Sequence, residues 1–202
     1  MKTKTLAVFL LLATTMTTAV NAATYGPGYY RGPSPEKVTS NHPGEIVKDG
    51  ISKLQRFINS GRAQNREQAL AFMATEIEPY FDFEYMTRWA AGPAWRRMSL
   101  PQRAKVTNKL KRSFMGTLAD KLVTYTDQPI RYFTPRGQES NNVRVSAWIM
   151  QPNGIPTRME FRFYRDEGDW RIFDVKAEGN SAVIYYRNQF RHMFHPERQA
   201  RY

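Results

Sequence analysis

A chain of 202 residues, 41% hydrophobic and 24% charged, is long enough for one domain around an ordinary core. It has no cysteine, which excludes a disulfide-stapled scaffold and a thiolate metal site. Thirty Lys and Arg against 18 Asp and Glu give a formal charge of +12, pointing to anionic partners: lipid head groups, acidic protein surfaces or nucleic acid.

The first 22 residues read as an export signal. Lys2 and Lys4 precede an apolar run over 6–13, a Thr-rich stretch follows, and Val20-Asn21-Ala22 offers a cleavage site. The run is well short of the ~20 residues that span a bilayer, and no later segment is long and apolar enough, so a soluble mature chain is expected. Cleavage after Ala22 removes two Lys and no acid, leaving 28 basic against 18 acidic side chains and a charge of +10. Residues 23–43, rich in Gly, Pro, Tyr and Ser, lack an apolar period and read as a flexible tail ahead of one domain over 44–202.

Helical periodicity then begins. Val47, Ile51, Leu54 and Ile58 make one apolar stripe that Gly61 ends, and Asn65 caps a second helix with Leu70, Met73, Ile77 and Tyr80 inward. Asp82 caps a third, stopped by Gly92 and Pro93. Ser99-Leu100-Pro101-Gln102 is a capping box that launches the longest helix, to about Tyr125, with Val106, Leu110, Phe114, Leu118 and Leu122 inward and a basic outer side.

After Pro129 the period becomes two. Strands are predicted at 130–134, 143–150, 157–164 and 170–177, with hairpins at Asn153-Gly154 and Glu167-Gly168. Pairing Ile149 with Met159, Ala147 with Phe161 and Phe161 with Phe173 makes one face almost wholly apolar, with Arg144, Trp148, Arg162, Tyr164 and Ile172 on the other. Gly179 and Asn180 mark a corner from which Ser181 caps a last helix, its apolar side Val183, Ile184, Tyr186, Phe190, Met193 and Phe194. Helices first, then an antiparallel meander closed by a helix, is an α+β layout.

Several separated motifs between about residues 47 and 194 resemble the MlaC family, also called the toluene-tolerance family. They are Phe81-Asp82-Phe83-Glu84-Tyr85-Met86, Gly92-Pro93-Ala94-Trp95, Gln102, Phe114, Leu118, the run Trp170-Arg171-Ile172-Phe173-Asp174-Val175, Gly179-Asn180-Ser181, and Tyr186-Arg187-Asn188-Gln189-Phe190. The resemblance implies an NTF2-like curved sheet wrapped by helices and a periplasmic phospholipid carrier that maintains outer-membrane lipid asymmetry. It also implies a monomer that comes near membranes and exchanges lipid between an outer-membrane lipoprotein/porin complex and an inner-membrane ABC-transporter complex. Acyl chains would then lie against Trp95, Phe114, Leu118, Val145, Ala147, Ile149, Met159, Phe161, Phe163, Phe173, Val175 and Val183. Asn180 and Ala182 replace larger apolar residues of the family pattern, Trp89 is bulkier than usual, and the leucine-containing tail is missing after Tyr202.

The residues themselves offer little for catalysis: none of the G-x-x-x-x-G-K-[ST], H-E-x-x-H or G-x-S-x-G motifs occurs. His192 and His195 lack a third metal ligand nearby. Asp174 and Glu178 could serve as an acid/base pair on an NTF2-like enzyme scaffold, but such carboxylates more often hold an Arg, here Arg187 or Arg191. The aromatics fall on the predicted inward face and not among the Lys and Arg, which disfavours specific nucleic-acid binding. No cofactor is expected.

Overall fold

The computed structural model describes residues 42–122, 128–137 and 141–194, with side chains up to 191. The export signal, nearly all of the tail, Tyr125, His195 and the side chains of His192, Met193 and Phe194 lie outside what is described.

Helix α1 (Pro43–Asn59) starts earlier than its stripe suggests: Pro43, assigned above to the tail, occupies the first turn, and the imidazole of His42 accepts from the Gly44 N–H at 3.3 Å. Ser60 and a left-handed Gly61 (φ 74°) end it. Asn65 caps α2 (Arg66–Phe72), its side-chain oxygen accepting from the N–H groups of Glu67 and Gln68 at 2.9 and 3.1 Å. The helix then widens into one π-turn (Met73–Ile77) and tightens into a 3₁₀ turn (Glu78–Tyr80) at Pro79. This wider turn lets Met73, Ile77 and Tyr80 all be buried.

Asp82 caps α3 (Phe83–Ala91) by accepting from the Tyr85 N–H at 2.8 Å. A single turn, α4 (Ala94–Arg97), leads into α5 (Leu100–Leu122). The capping box forms both its bonds, Ser99 N–H to Gln102 Oε1 at 2.8 Å and Gln102 N–H to Ser99 Oγ at 3.4 Å. Val106, Leu110, Phe114 and Leu122 face inward as the stripe requires, and Met115 and Ala119 join them.

The sheet is antiparallel in the order β1-β2-β3-β4-β5: β1 (Ile130–Tyr132), β2 (Asn142–Ile149), β3 (Thr157–Asp166), β4 (Asp169–Ala177) and a two-residue β5 (Asn180–Ser181). The β3–β4 turn is a two-residue loop between paired Asp166 and Asp169, with Glu167 and Gly168 at φ 46° and 97°. Helix α6 (Ala182–Phe194) follows β5, with Val183, Tyr186 and Phe190 buried but Ile184 half exposed.

Two pairings differ from the sequence reading. Ile149 pairs with Thr157, Ala147 with Met159 and Val145 with Phe161, two residues along from the expected match. The connection over 150–156 carries Pro152 and Pro156, which cannot donate to a ladder, and a two-residue shift leaves every side chain on its expected face. The second difference does change faces. A β-bulge sits in the β3–β4 ladder: Arg162 pairs with Asp174 but Phe163 pairs with Ile172, so Phe173 is the extra residue. Ile172 therefore joins the apolar face, and Phe173 joins Arg162 and Tyr164, its ring 6.0 Å from Tyr164, 5.4 Å from Tyr85 and 4.8 Å from the Arg162 guanidinium.

Candidate functional site: an apolar cavity under the first helix

Between α1, the C-terminal half of α5 and the sheet lies a cavity of about 190 Å³. The roof is the α1 stripe of Val47, Ile51, Leu54 and Ile58. Of these only Val47 is buried; the others are partly exposed, packing against the core on one side and bordering the void on the other. One wall is Phe114, Leu118 and Leu122 of α5 with Met73, Ile77 and Tyr80; the floor is Ala147, Ile149, Met159, Phe161, Ile172 and Val175. Apart from the Tyr80 hydroxyl, Gln55 and Lys121 are the polar side chains on the lining among the described residues, so water inside would find few partners there.

The roof has polar supports on its outer side. The Tyr80 hydroxyl donates to Asp49, and Lys53 lies 5.2 Å from the Tyr80 ring centre, 3.7 Å from Asp49 and 3.2 Å from Glu76. Burial and the bond to Asp49 raise the Tyr80 pKa, so the phenol stays neutral. Although burial opposes it, Tyr80 and Glu76 raise that of Lys53 and keep it charged.

Of the residues the resemblance assigned to acyl chains, Phe114, Leu118, Ala147, Ile149, Met159, Phe161 and Val175 border this void. Trp95, Val145, Phe163, Phe173 and Val183 do not. Val145 and Phe163 share the floor's face but are 1% and 0% exposed, where helices close onto the sheet without a gap. The bulge turns Phe173 away. Trp95 is held at the start of α5, where Arg103 stacks over its ring at 5.2 Å and donates to its carbonyl at 3.1 Å. Val183 is fixed by its backbone N–H, which donates to Asp174 at 3.0 Å. The α1 stripe, Met73, Ile77, Tyr80 and Ile172 were missing from the assignment. Their helical spacing marked all but Ile172 as inward, yet spacing does not tell a packed neighbour from a void.

Asp174 is fully buried and satisfied. Its carboxylate accepts from the Val183 N–H, from the Ser181 hydroxyl at 2.7 Å and from Arg162 at 3.3 Å. Its arginine is thus the cross-strand partner, not Arg187 or Arg191: Arg187 donates to the Trp89 carbonyl at 2.7 Å and Arg191 reaches Asn188. Ser181 also accepts from the Ile184 N–H at 3.2 Å, the predicted cap. Glu178 is exposed, accepts from the Arg158 N–H and does not line the cavity, so Asp174 and Glu178 do not face it as a pair. Among the described residues no cluster of His, Asp or Glu could hold a metal, and no helix is long and apolar enough to cross a membrane.

Comparison with known proteins agrees with this architecture. The toluene tolerance protein Ttg2D of Pseudomonas putida is 19% identical over 157 residues, covering 76% of this chain and 73% of that protein. A phospholipid-binding protein from Ralstonia solanacearum, solved in complex with a phospholipid, superposes with a TM-score of 0.68 at 22% identity, over 77% of this chain and 88% of that one. The family profile described as MlaC protein matches residues 48–198, three quarters of the sequence. With its helices packed over an antiparallel sheet and an apolar cavity between them, the chain belongs to the MlaC family.

Proposed function

We propose that this protein is a periplasmic phospholipid carrier that holds acyl chains in the cavity under α1 and passes the lipid between outer- and inner-membrane complexes, without catalysing a reaction. The observation that carries this is a void beside the buried core with an almost purely apolar lining. A void of this kind loses dispersion contacts and is retained where an apolar ligand fills it. Family membership and the phospholipid in the Ralstonia neighbour support the same reading.

At about 190 Å³ the cavity is smaller than the ~300–1,000 Å³ usual for small-molecule sites, so two chains enter only if α1 swings away from the sheet. Each buried methylene is worth ~0.8 kcal/mol, so two long chains give over ~20 kcal/mol gross, and lipid stays bound on dilution. Release then requires an acceptor that competes for the tails or pulls the roof open.

Mass spectrometry of gently purified protein tests this. A phospholipid at up to one per chain is expected, together with uptake from vesicles that falls severalfold in Ala147→Trp, which fills the floor. A lipid-free protein that also fails to load from vesicles would end the proposal.

A further inference from the structure

We propose that the polar cleft next to the cavity seats a zwitterionic phospholipid head group bearing a primary ammonium; this deepens the carrier reading and rests on it. The cleft, about 300 Å³, lies beside the N-terminal half of α5 and has Phe81 in common with the apolar cavity. Phe81 is fixed by an edge contact to Phe114 at 5.3 Å, a stack on Phe83 at 5.5 Å and a bridge to Ile172, so one ring separates the two spaces. Along α5, Thr107 and Lys111 face the cleft, and Phe114 and Leu118, one and two turns further on, face the cavity. A molecule that displaced the Phe81 ring and lay along this side of α5 would place its polar end at Lys111 and its apolar end at Leu118.

The charges match a zwitterion better than an anion. Lys111 and Arg171 are the cations of the cleft, Glu78, Asp82 and Asp166 its carboxylates. Asp82 is occupied, capping α3 and accepting from Tyr164. Lys111 donates to Glu78 at 2.8 Å and Arg171 donates to the Pro79 carbonyl. An ammonium has three donors and a guanidinium five, so both keep donors for a phosphate. Thr107 Oγ1 is buried with no hydrogen-bond partner among the described residues and is a further donor for a phosphate oxygen. Asp166, exposed and in no ion pair with the described residues, is the acceptor for the ammonium. With one negative charge in excess among the described residues that line it, the cleft would repel a head group that brings phosphate alone.

The experiment loads full-length protein from vesicles of equimolar phosphatidylethanolamine and phosphatidylglycerol and counts bound lipids by mass spectrometry. Wild type is expected to take the ethanolamine lipid in about fivefold excess, the scale of one partly screened charge contact. Asp166→Lys should bring the ratio to unity or below and Lys111→Gln should lower total phospholipid, while both still take up palmitate, whose tail needs the cavity alone. Asp166→Asn, the milder change, should fall between wild type and Asp166→Lys. An unbiased wild type, or a ratio unchanged in Asp166→Lys and Asp166→Asn with normal loading, would overturn the head-group assignment and leave the carrier standing. Failure of wild type to take up either phospholipid or palmitate would overturn both.

Discussion

Asp174 holds together the joint between the sheet and the last helix. It takes a donor from β3, one from the Ser181 cap and one from the first turn of α6, and it is inaccessible to water. Asp174→Asn keeps the shape but removes the charge and turns one acceptor into a donor facing donors. Unfolding by urea should show a loss of about 2–4 kcal/mol, with lipid per folded chain unchanged. A second residue-level prediction concerns alkaline pH. Burial pushes the Tyr186 hydroxyl, which donates to Ser113 at 3.2 Å, up to about 12 from an ordinary 10.0. Above pH 10 the unfolded chain ionises while the folded one keeps its proton, so stability falls between pH 10 and 12, by up to about 3 kcal/mol from this group. Tyr186→Phe should be somewhat less stable at pH 8, and its unfolding free energy should decline less steeply over that alkaline window. Phe161 and Phe163, two apart on one strand, give the third: Phe161 is partly exposed at the cavity and Phe163 is 0% exposed. Phe163→Trp should cost ~1–3 kcal/mol by overpacking, whereas Phe161→Trp should leave the lipid-free fold nearly intact and lower lipid content. Equal stability losses in both would mean that no usable void exists at Phe161.

At the scale of elements, α1 is unlike α5. α5 runs through the core, whereas α1 anchors its first turns by Ile46 and Val47 and its far end by Phe57, stacked on Phe72 at 4.1 Å, with its middle over the void. Hydrogen exchange followed by mass spectrometry should therefore find α1 less protected than α5 in delipidated protein and gaining most on loading; equal protection in both states would argue against α1 as the moving roof. This level also separates what the sequence discloses from what it hides. The Asn65, Asp82 and Ser99 caps, the Glu167-Gly168 turn and the alternation of β2 and β3 were legible because each is fixed by neighbours a few residues away. The bulge at Phe173, the π-turn at Met73 and the choice of Arg162 as partner for Asp174 were not, since each is settled by chain segments that meet only after folding. The cavity was half legible: Phe114, Leu118 and Phe161 stood on the correct faces, but a face does not reveal whether its opposite number reaches it.

For the whole molecule, a lipid held as proposed would link folding and loading in one equilibrium. A ligand that binds only the folded chain adds stability by mass action, about 2.7 kcal/mol at a hundredfold excess over its dissociation constant. Lipid-loaded protein should accordingly melt several degrees above the delipidated form in calorimetry, and the gap should close in Ala147→Trp. Identical melting curves would show that nothing of consequence fills the void.

The bulge gives β4 a property like that of a reading frame. Ile172 and Val175 are an odd number of positions apart, yet both face the cavity, because the extra residue between them resets the alternation. Remove Phe173, and Ile172 precedes Asp174 directly; the pairs Phe163–Ile172 and Arg162–Asp174 become consecutive rungs of an ordinary ladder, with no side chain after the deletion obliged to change sides. A one-residue deletion, which elsewhere in a strand would turn the wall inside out, is here phase-neutral. The shortened chain would give up the ring that Tyr85, Trp89 and Tyr164 surround, about 3–5 kcal/mol of packing, and keep the floor of the cavity in place. Phe173 is in this sense an insertion the sheet carries for the benefit of the helices beside it.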